Sequence, residues 1–372
     1  MILAIPERMH AVLLTGHGGP NKLEYHTDVK VPRPAKGEVL VRVAAAAVNN
    51  TDINTRIGWY SKKVSSDTQA GSAGGFAEVD NEDASWSGVP LRFPLIQGAD
   101  CCGYIVAVGE GVSPTRVGQR VLIRNMLRAP VDHQNYQCWT YGSDCNGSFA
   151  QYTVAPDADT WSVSSDWSDI ELASIPCSYS TAELMMQRAG VNANDVVLIT
   201  GASGGVGSAA VQLAKCRGAR VIAITSNSKR SQILELGADD VIDRNDNLLE
   251  RLEKNSVTVV IDLVGGTAWP PLLDVLKIGG RYATSGAIAG PLVELDLRTL
   301  YLKDLTFYGC TWQDDNVFQT LINYIETDRI RPLVSKHYSL SDIALAQEDF
   351  LSKKHVGKLV LVPPRETHHE DS

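Results

Sequence analysis

One run of the 372-residue chain has the residue types and spacing to hold a phosphorylated ligand: Val197-Leu198-Ile199-Thr200-Gly201-Ala202-Ser203-Gly204-Gly205-Val206-Gly207. A strand-forming stretch ends there and a helix-forming one begins, which is the context such a loop requires. A glycine at position 204 lets the backbone approach a pyrophosphate, which rests against the unpaired N–H groups of a helix N-terminus. Gly207 lets the helix pack closely on the strand. Ala202 stands where the usual pattern has its first glycine, so the motif reads A-x-G-x-x-G. Ala202, Ser203, Gly204, Gly205, Val206 and Gly207 are therefore candidate dinucleotide contacts. The end of the next strand selects the cofactor. An NAD site places Asp or Glu there, about 20 residues on, to hold the ribose 2′-hydroxyl. This chain has Thr225-Ser226-Asn227-Ser228-Lys229-Arg230 instead. A carboxylate would repel a 2′-phosphate, whereas hydroxyls and two cations attract it. Thr225, Ser226, Lys229 and Arg230 thus point to NADP(H).

The elements around this loop alternate. Val196-Val197-Leu198-Ile199 reads as a strand, and residues 205–217 have helical spacing with Gly218 as their stop. Val221-Ile222-Ala223-Ile224 is a second strand, followed by a helix that ends at Gly237. Val259-Val260-Ile261-Asp262-Leu263 and Gly280-Arg281-Tyr282-Ala283-Thr284 continue the series. Such β-α-β order implies a parallel sheet covered on both faces. The first 160 residues or so are β-rich, with short apolar runs such as Tyr104-Ile105-Val106-Ala107-Val108 between Gly and Pro punctuation. Residues 61–88 break the pattern, being rich in Ser, Gly and acids (Asp80, Glu82 and Asp83 among them) with Phe76 and Trp86 embedded. They read either as a solvated surface insertion or as a mobile lid. The tail after Val362 is polar, and its His368-His369 pair is read as inert.

The chain is 44% hydrophobic and 21% charged, ordinary for a soluble protein and long enough for two domains. A formal net charge of -9 argues against nucleic acid or an anionic membrane as the main partner. No stretch approaches the roughly 20 apolar residues that span a bilayer. The N-terminal apolar run is too short for a secretory signal, so a cytoplasmic location is expected. The seven cysteines are an odd, scattered set with no C-x-x-C pair and read as reduced thiols.

In its ordered motifs the chain resembles the medium-chain dehydrogenase/reductase superfamily, within it the zinc-less, quinone-oxidoreductase-like branch. Those motifs are Asn49-Asn50-Thr51-Asp52, Gly98-Ala99-Asp100, residues 103–109, Val117-Gly118-Gln119-Arg120-Val121 and Gly147-Ser148-Phe149-Ala150-Gln151-Tyr152. The glycine-rich loop, Leu236-Gly237-Ala238-Asp239 and Gly357-Lys358-Leu359-Val360-Leu361 complete them. The resemblance implies an α/β chain: a GroES-like β-rich catalytic domain over 1–162, completed by 313–372, and a doubly wound parallel-sheet Rossmann domain over 163–312. It also implies a homodimer, built through the Rossmann-sheet edge near residues 300–309. Zinc-dependent members have Cys at the position of Asn49, His-Glu at Ala99-Asp100 and a third ligand at Cys177. A catalytic zinc needs about three protein ligands and one open position, so no catalytic metal is expected here. The structural zinc lobe is reduced to Cys138 and Cys145.

Without a Lewis acid nothing lowers the pKa of a simple alcohol, whereas an electrophilic double bond accepts hydride readily. The expected reaction is hydride transfer from NADPH to an activated C=C bond or a quinone, with donors meeting the charge that develops on oxygen. The resemblance implies Asn49 and Tyr60 as those donors and nicotinamide-side contacts at Ser285, Gly286, Ala287, Ile288 and Thr311, while Trp59 reads as an apolar wall. Plainer readings stay open: a capping amide at Asn49, a packing ring at Tyr60 and a packed thiol at Cys177. Two other functions are also compatible with the sequence, an alcohol or carbonyl dehydrogenase and a non-catalytic, crystallin-like NADPH-binding protein.

Overall fold

Short strands rich in Val, Ile and Leu set the architecture of the computed structural model, which describes residues 5–79, 82 and 84–365. β1 (Arg8–Leu14) and β2 (Leu23–Lys30) pair as an antiparallel hairpin. β3 (Glu38–Ala47), β4 (Cys102–Val108) and β5 (Arg120–Ile123) follow, then a small ribbon of β6 (Met126–Leu127) and β7 (Trp139–Thr140). β8 (Tyr152–Pro156) and β9 (Thr160–Ser162) close this β-rich part.

The second sheet is wholly parallel. It comprises β10 (Val196–Ile199), β11 (Arg220–Thr225), β12 (Asp240–Asp243), β13 (Val257–Asp262), β14 (Leu276–Thr284) and β15 (Thr306–Gly309). Its order is β12-β11-β10-β13-β14-β15. In chain order this is 3-2-1-4-5-6, the doubly wound pattern that opens a crevice where the order reverses, beyond the carboxyl ends of β10 and β13. Leu198 lies between Ile222 and Val260 in register, and all three are buried, as strands covered on both faces demand.

The chain then returns. β16 (Val334–Ser339) and β17 (Lys358–Val362) join the first sheet, whose order is β16-β17-β3-β4-β5-β9, with β8 also paired to β3. Val360 pairs with Ala47, and the Val48 N–H donates to the Leu359 carbonyl at 3.0 Å. That pairing carries Lys358 to Asn49, more than three hundred residues earlier in the chain.

Residues 61–88 are not solvated throughout. Ser61, Val64, Thr68, Ala84 and Ser85 are buried. The Thr68 N–H donates to the Ile288 carbonyl at 3.2 Å, and the Ser87 hydroxyl donates to Asp144, so the segment touches loops of both sheets. Asp80, Asp83 and the His368-His369 pair lie outside the described residues. Among the described residues no helix is long and apolar enough to cross a membrane.

Candidate active site

A single cavity of about 840 Å³ runs from the crevice of the parallel sheet to the loops of the β-rich part. Its first half is a groove built on the glycine loop. The helix Gly205–Cys216 starts there with Gly204 as its N-cap, and among the described residues no side chain caps its first N–H groups. A Cβ on Gly207 would come within 2.3 Å of the Gly201 carbonyl oxygen, so helix and strand meet at a distance only glycine allows. Ser203, Gly204, Gly205, Val206 and Gly207 line the groove, as do Thr225, Ser226 and Lys229 beyond β11. Ser285, Gly286, Ala287 and Thr311 line its far end.

Two residues expected in the groove are elsewhere. Ala202 is fully buried behind the loop and its N–H donates to the Ile224 carbonyl. The Arg230 guanidinium faces β12, bonding the Val241 carbonyl and the Asp240 carboxylate at 3.2 Å, because it sits one residue into a helix that turns it outward. The second cation of the groove is Arg244, just past the end of β12. The rule that ligands gather at carboxyl strand ends could have found it. Lys353, His355 and Lys358 also line the cavity; Lys358 stands in a motif of the resemblance, but nothing local gives any of the three a place in the site, since strand pairing at the chain's far end brings them there. Lys229 Nζ donates to Ser203 Oγ at 3.3 Å and to the Lys353 carbonyl at 2.7 Å. Burial, then the neighbouring Lys229 charge, pull Lys353 down to about 8. Asp243, which also lines the groove, accepts the Asn227 N–H at 2.6 Å and the Asn245 N–H at 2.9 Å, so both of its oxygens are engaged with backbone.

The second half is a chamber with aromatic walls. The helix Asn50–Ile57 and the turn after Gly58 supply Thr51, Asn54, Trp59 and Tyr60, and the 61–88 segment supplies Asp67, Thr68 and Trp86. The Tyr60 ring stands edge-on to Trp59 and Trp86, with centroids 5.7 and 5.1 Å away. The Tyr60 hydroxyl donates to Thr51 Oγ1 at 3.2 Å, and burial pushes the phenol well above its ordinary range. Among the described residues the Thr51 hydroxyl has no acceptor of its own. Asn54 is 6% exposed, and among the described residues its Oδ1 has no partner.

Asn49 is where the sequence expectation changes most. Its amide N–H groups are engaged, by Asp100 Oδ2 at 2.8 Å and the Ala47 carbonyl at 3.2 Å, and its Oδ1 accepts from Lys358 Nζ. Both amide hydrogens are committed, so this arrangement leaves none to meet a substrate oxygen. Its backbone N–H donates to Asp52 Oδ2 at 2.7 Å, which places Asp52 as a brace of this loop. Burial pushes Asp52 up to about 7, with the Asn49 N–H opposing that rise and nearby Asp100 adding to it. Cys177 lines the cavity, and its thiol is pushed well up, first by burial and then by Asp100.

The donor set does not fit a catalytic zinc. Among the described residues no three of His, Cys, Asp or Glu gather as a metal site. Ala99 brings a methyl group, and Lys358 Nζ already bonds the Asn49 and Asp100 oxygens that a metal would need. A dication there would share its oxygens with an ammonium, which like-charge repulsion forbids.

Comparison with known proteins gives two family models on this chain. Residues 35–165 match the alcohol dehydrogenase GroES-like domain and residues 205–327 the zinc-binding dehydrogenase model. An acryloyl-coenzyme A reductase of Metallosphaera sedula is 29% identical over 366 residues, covering 95% of this chain and 99% of that protein. A quinone oxidoreductase of Lama guanicoe is 28% identical, covering 95% and 97%. A crystal structure from Sinorhizobium meliloti 1021, of a protein provisionally named an alcohol dehydrogenase, is 44% identical with a TM-score of 0.86, covering 97% of this chain and 98% of that one.

Proposed function

The chain belongs to the medium-chain dehydrogenase/reductase superfamily, in its quinone-oxidoreductase-like branch, and from that premise we propose that it is a metal-independent, NADPH-dependent reductase of quinones or activated C=C bonds. The observation that carries this reading is the continuity of one cavity, from a groove lined by Lys229, Arg244 and Lys353 to an aromatic chamber where Thr51 and Tyr60 form a donor pair.

The groove residues suit a doubly phosphorylated nucleotide with a third phosphate on its ribose. The open helix N-terminus at Gly204 and Gly205 suits the pyrophosphate. Thr225, Ser226, Lys229 and Arg244 suit the 2′-phosphate, and Ser285, Gly286, Ala287 and Thr311 suit the nicotinamide side. When bound, NADPH would supply a hydride. Thr51 then donates a hydrogen bond to the carbonyl or quinone oxygen as negative charge develops on it, and Tyr60 polarises Thr51 from behind. Because burial keeps the phenol protonated, this pair stays a neutral donor and water delivers the net proton. Lys358 is neutralised by Asp100, and rings, hydroxyls and amides make up most of the chamber wall beside the Asp67 carboxylate, which favours an electrophile without negative charge.

We further propose a cytoplasmic homodimer whose partner molecule is a small electrophile. Seven unpaired cysteines accord with the location. Exposed Ile278, Leu297, Tyr301 and Leu302 flank β15, the sheet's edge strand, and accord with a second copy there. Light scattering of the purified protein reads that mass directly. For the activity, NADPH and NADH oxidation should be followed with quinones, enones, enals and enoyl thioesters, and NADP⁺ reduction with simple alcohols. Turnover with quinones or enones and NADPH is expected. Alcohol turnover that a chelator abolishes would replace the proposal with a metal alcohol dehydrogenase, and tight NADPH binding with no turnover would make the chain a binding protein.

A further inference from the structure

Among the described residues Asp67 is the one acid that lines the chamber; the cavity's other acids, Asp243, Asp246 and Asp262, lie at or just past the ends of β12 and β13. Its neighbours on both sides are pinned. The Ser66 carbonyl accepts the Trp59 indole N–H at 3.0 Å, and the Thr68 N–H donates to the Ile288 carbonyl at 3.2 Å. Asp67 Oδ1 accepts the Ala70 N–H at 2.9 Å. That turn contact needs only a side-chain oxygen, which Asn or Ser supplies as well, so it does not account for a charge. Among the described residues no cation pairs with Asp67. Lys229, Arg244 and Lys353 line the groove, and Lys358 is taken by Asp100. Three rings share the chamber with this carboxylate, and each is only partly buried. Tyr60 is inclined by 74° to Trp59 and by 73° to Trp86, so the rings form the walls of a box and not a stack.

We propose that Trp59, Tyr60, Trp86 and Asp67 form a cation-binding site, and that the chamber's electrophile carries an alkylammonium group. The inference rests on the reductase reading and sharpens it by naming the substrate's charge. Aromatic rings attract a cation through the negative potential of their faces, and a carboxylate adds a full charge to that attraction. An alkylammonium suits both, because its methyl or methylene groups pack on rings while its charge answers Asp67. A hard metal ion wants six or more oxygen ligands, which three rings and one carboxylate do not offer. A neutral apolar group would fill the box and leave Asp67 unanswered, and an anion would be repelled. The two ends of such a substrate are read separately, the carbonyl oxygen by Thr51 and the ammonium by the rings and Asp67. The chain's formal net charge of -9 draws a cation toward the protein in the same sense.

The test uses a pair of quinones whose side chains end either in trimethylammonium or in the uncharged tert-butyl group of the same shape. Wild type is expected to favour the cation about 30-fold in kcat/KM, with the difference carried by KM. Asp67→Asn keeps an oxygen for the Ala70 N–H and should cut that preference about fivefold, and Trp86→Leu should cut it by a similar factor. Comparing the preference between variants cancels the intrinsic reactivity of the two quinones. High salt should shrink the Asp67 share and spare the ring share. Should Trp86→Leu fail to fold, Asp67→Asn decides alone. A preference that is the same in wild type and in these variants overturns the proposal. Should neither quinone oxidise NADPH, the reductase reading fails, and calorimetric titration with the two corresponding hydroquinones judges the cation site by itself. Tighter binding of the trimethylammonium compound, lost in Asp67→Asn, supports the site, and equal binding of the two overturns it.

Discussion

The glycine-loop groove takes seven of its lining residues from the single stretch 200–207, all positioned by one strand-to-helix turn. The aromatic chamber beside it draws on the helix after β3, the 61–88 segment, β6 and β7, the helix Pro176–Arg188 and the start of β17. Backbone geometry therefore shapes the groove, and side chains that meet across long sequence separations shape the chamber. A local construction fails when one backbone position is crowded. A distributed one degrades by steps, as individual hydrogen bonds are lost.

The largest effect belongs to the groove. Gly207→Val adds a Cβ 2.3 Å from the Gly201 oxygen and 2.7 Å from the Ala202 Cα. Backbone cannot yield as a flexible side chain does, so the helix must shift. Stability should fall by about 3 kcal/mol and NADPH affinity by more than about 100-fold, as overpacking at a close helix–strand contact implies. A thermal melt and a fluorescence titration read both quantities. Near-normal values for each would mean that backbone proximity does not shape the groove.

In the chamber, Thr51→Val removes the proposed donor to the substrate oxygen while preserving shape. We expect kcat to fall about 100-fold with the KM for NADPH unchanged, the size typical of one lost oxyanion donor. Tyr60→Phe acts through Thr51 and should cost about tenfold, and the double variant little more than Thr51→Val, since linked groups do not add. Steady-state kinetics on all three settle it. Additive losses would place Tyr60 on the substrate directly, and no loss in either would move the donor to Asn54.

The same contrast explains what the sequence discloses. The βαβ order, the loop at 200–207 and the fold class are legible because their signals lie within a few residues of each other. The chamber is not, because Asn49 and Lys358 meet only after β17 pairs with β3, and an amide's type says nothing of whether its N–H groups are free. Arg230 and Arg244 show an intermediate case. Both are cations near a strand end, and only the folded backbone shows that the first, opening a helix, faces β12 while the second, in the turn after β12, lines the groove. Lys229 is the cation that sequence and structure both place there, and Lys229→Glu should raise the KM for NADPH about 30-fold, near 2 kcal/mol, while narrowing the gap to NADH. Equal loss with both cofactors would show that Lys229 serves the pyrophosphate and not the 2′-phosphate.

The smallest expected effect is a pH dependence, and it separates the groove's two lysines. Lys353 is held down to about 8 by burial and by the Lys229 charge, and Lys229 is itself lowered, first by burial and then by Arg244. His355 is held down to about 4 by burial, so it is neutral across the range that matters. Without cofactor, Lys353 loses its proton as pH rises through 8, whereas in the unfolded chain it keeps it to about 10.4. Between those values the unfolded chain binds more protons, so stability of the cofactor-free protein should rise with pH through that window. NADPH affinity should move the opposite way. Bound phosphate raises the lysine's pKa, so binding takes up a proton and weakens about fivefold from pH 7.5 to 9. Lys353→Met should flatten most of both trends and leave only the smaller Lys229 contribution. Calorimetric titrations in two buffers of different ionisation enthalpy measure the proton uptake. If uptake at pH 8.5 is the same in wild type and Lys353→Met, the titrating group lies outside this groove.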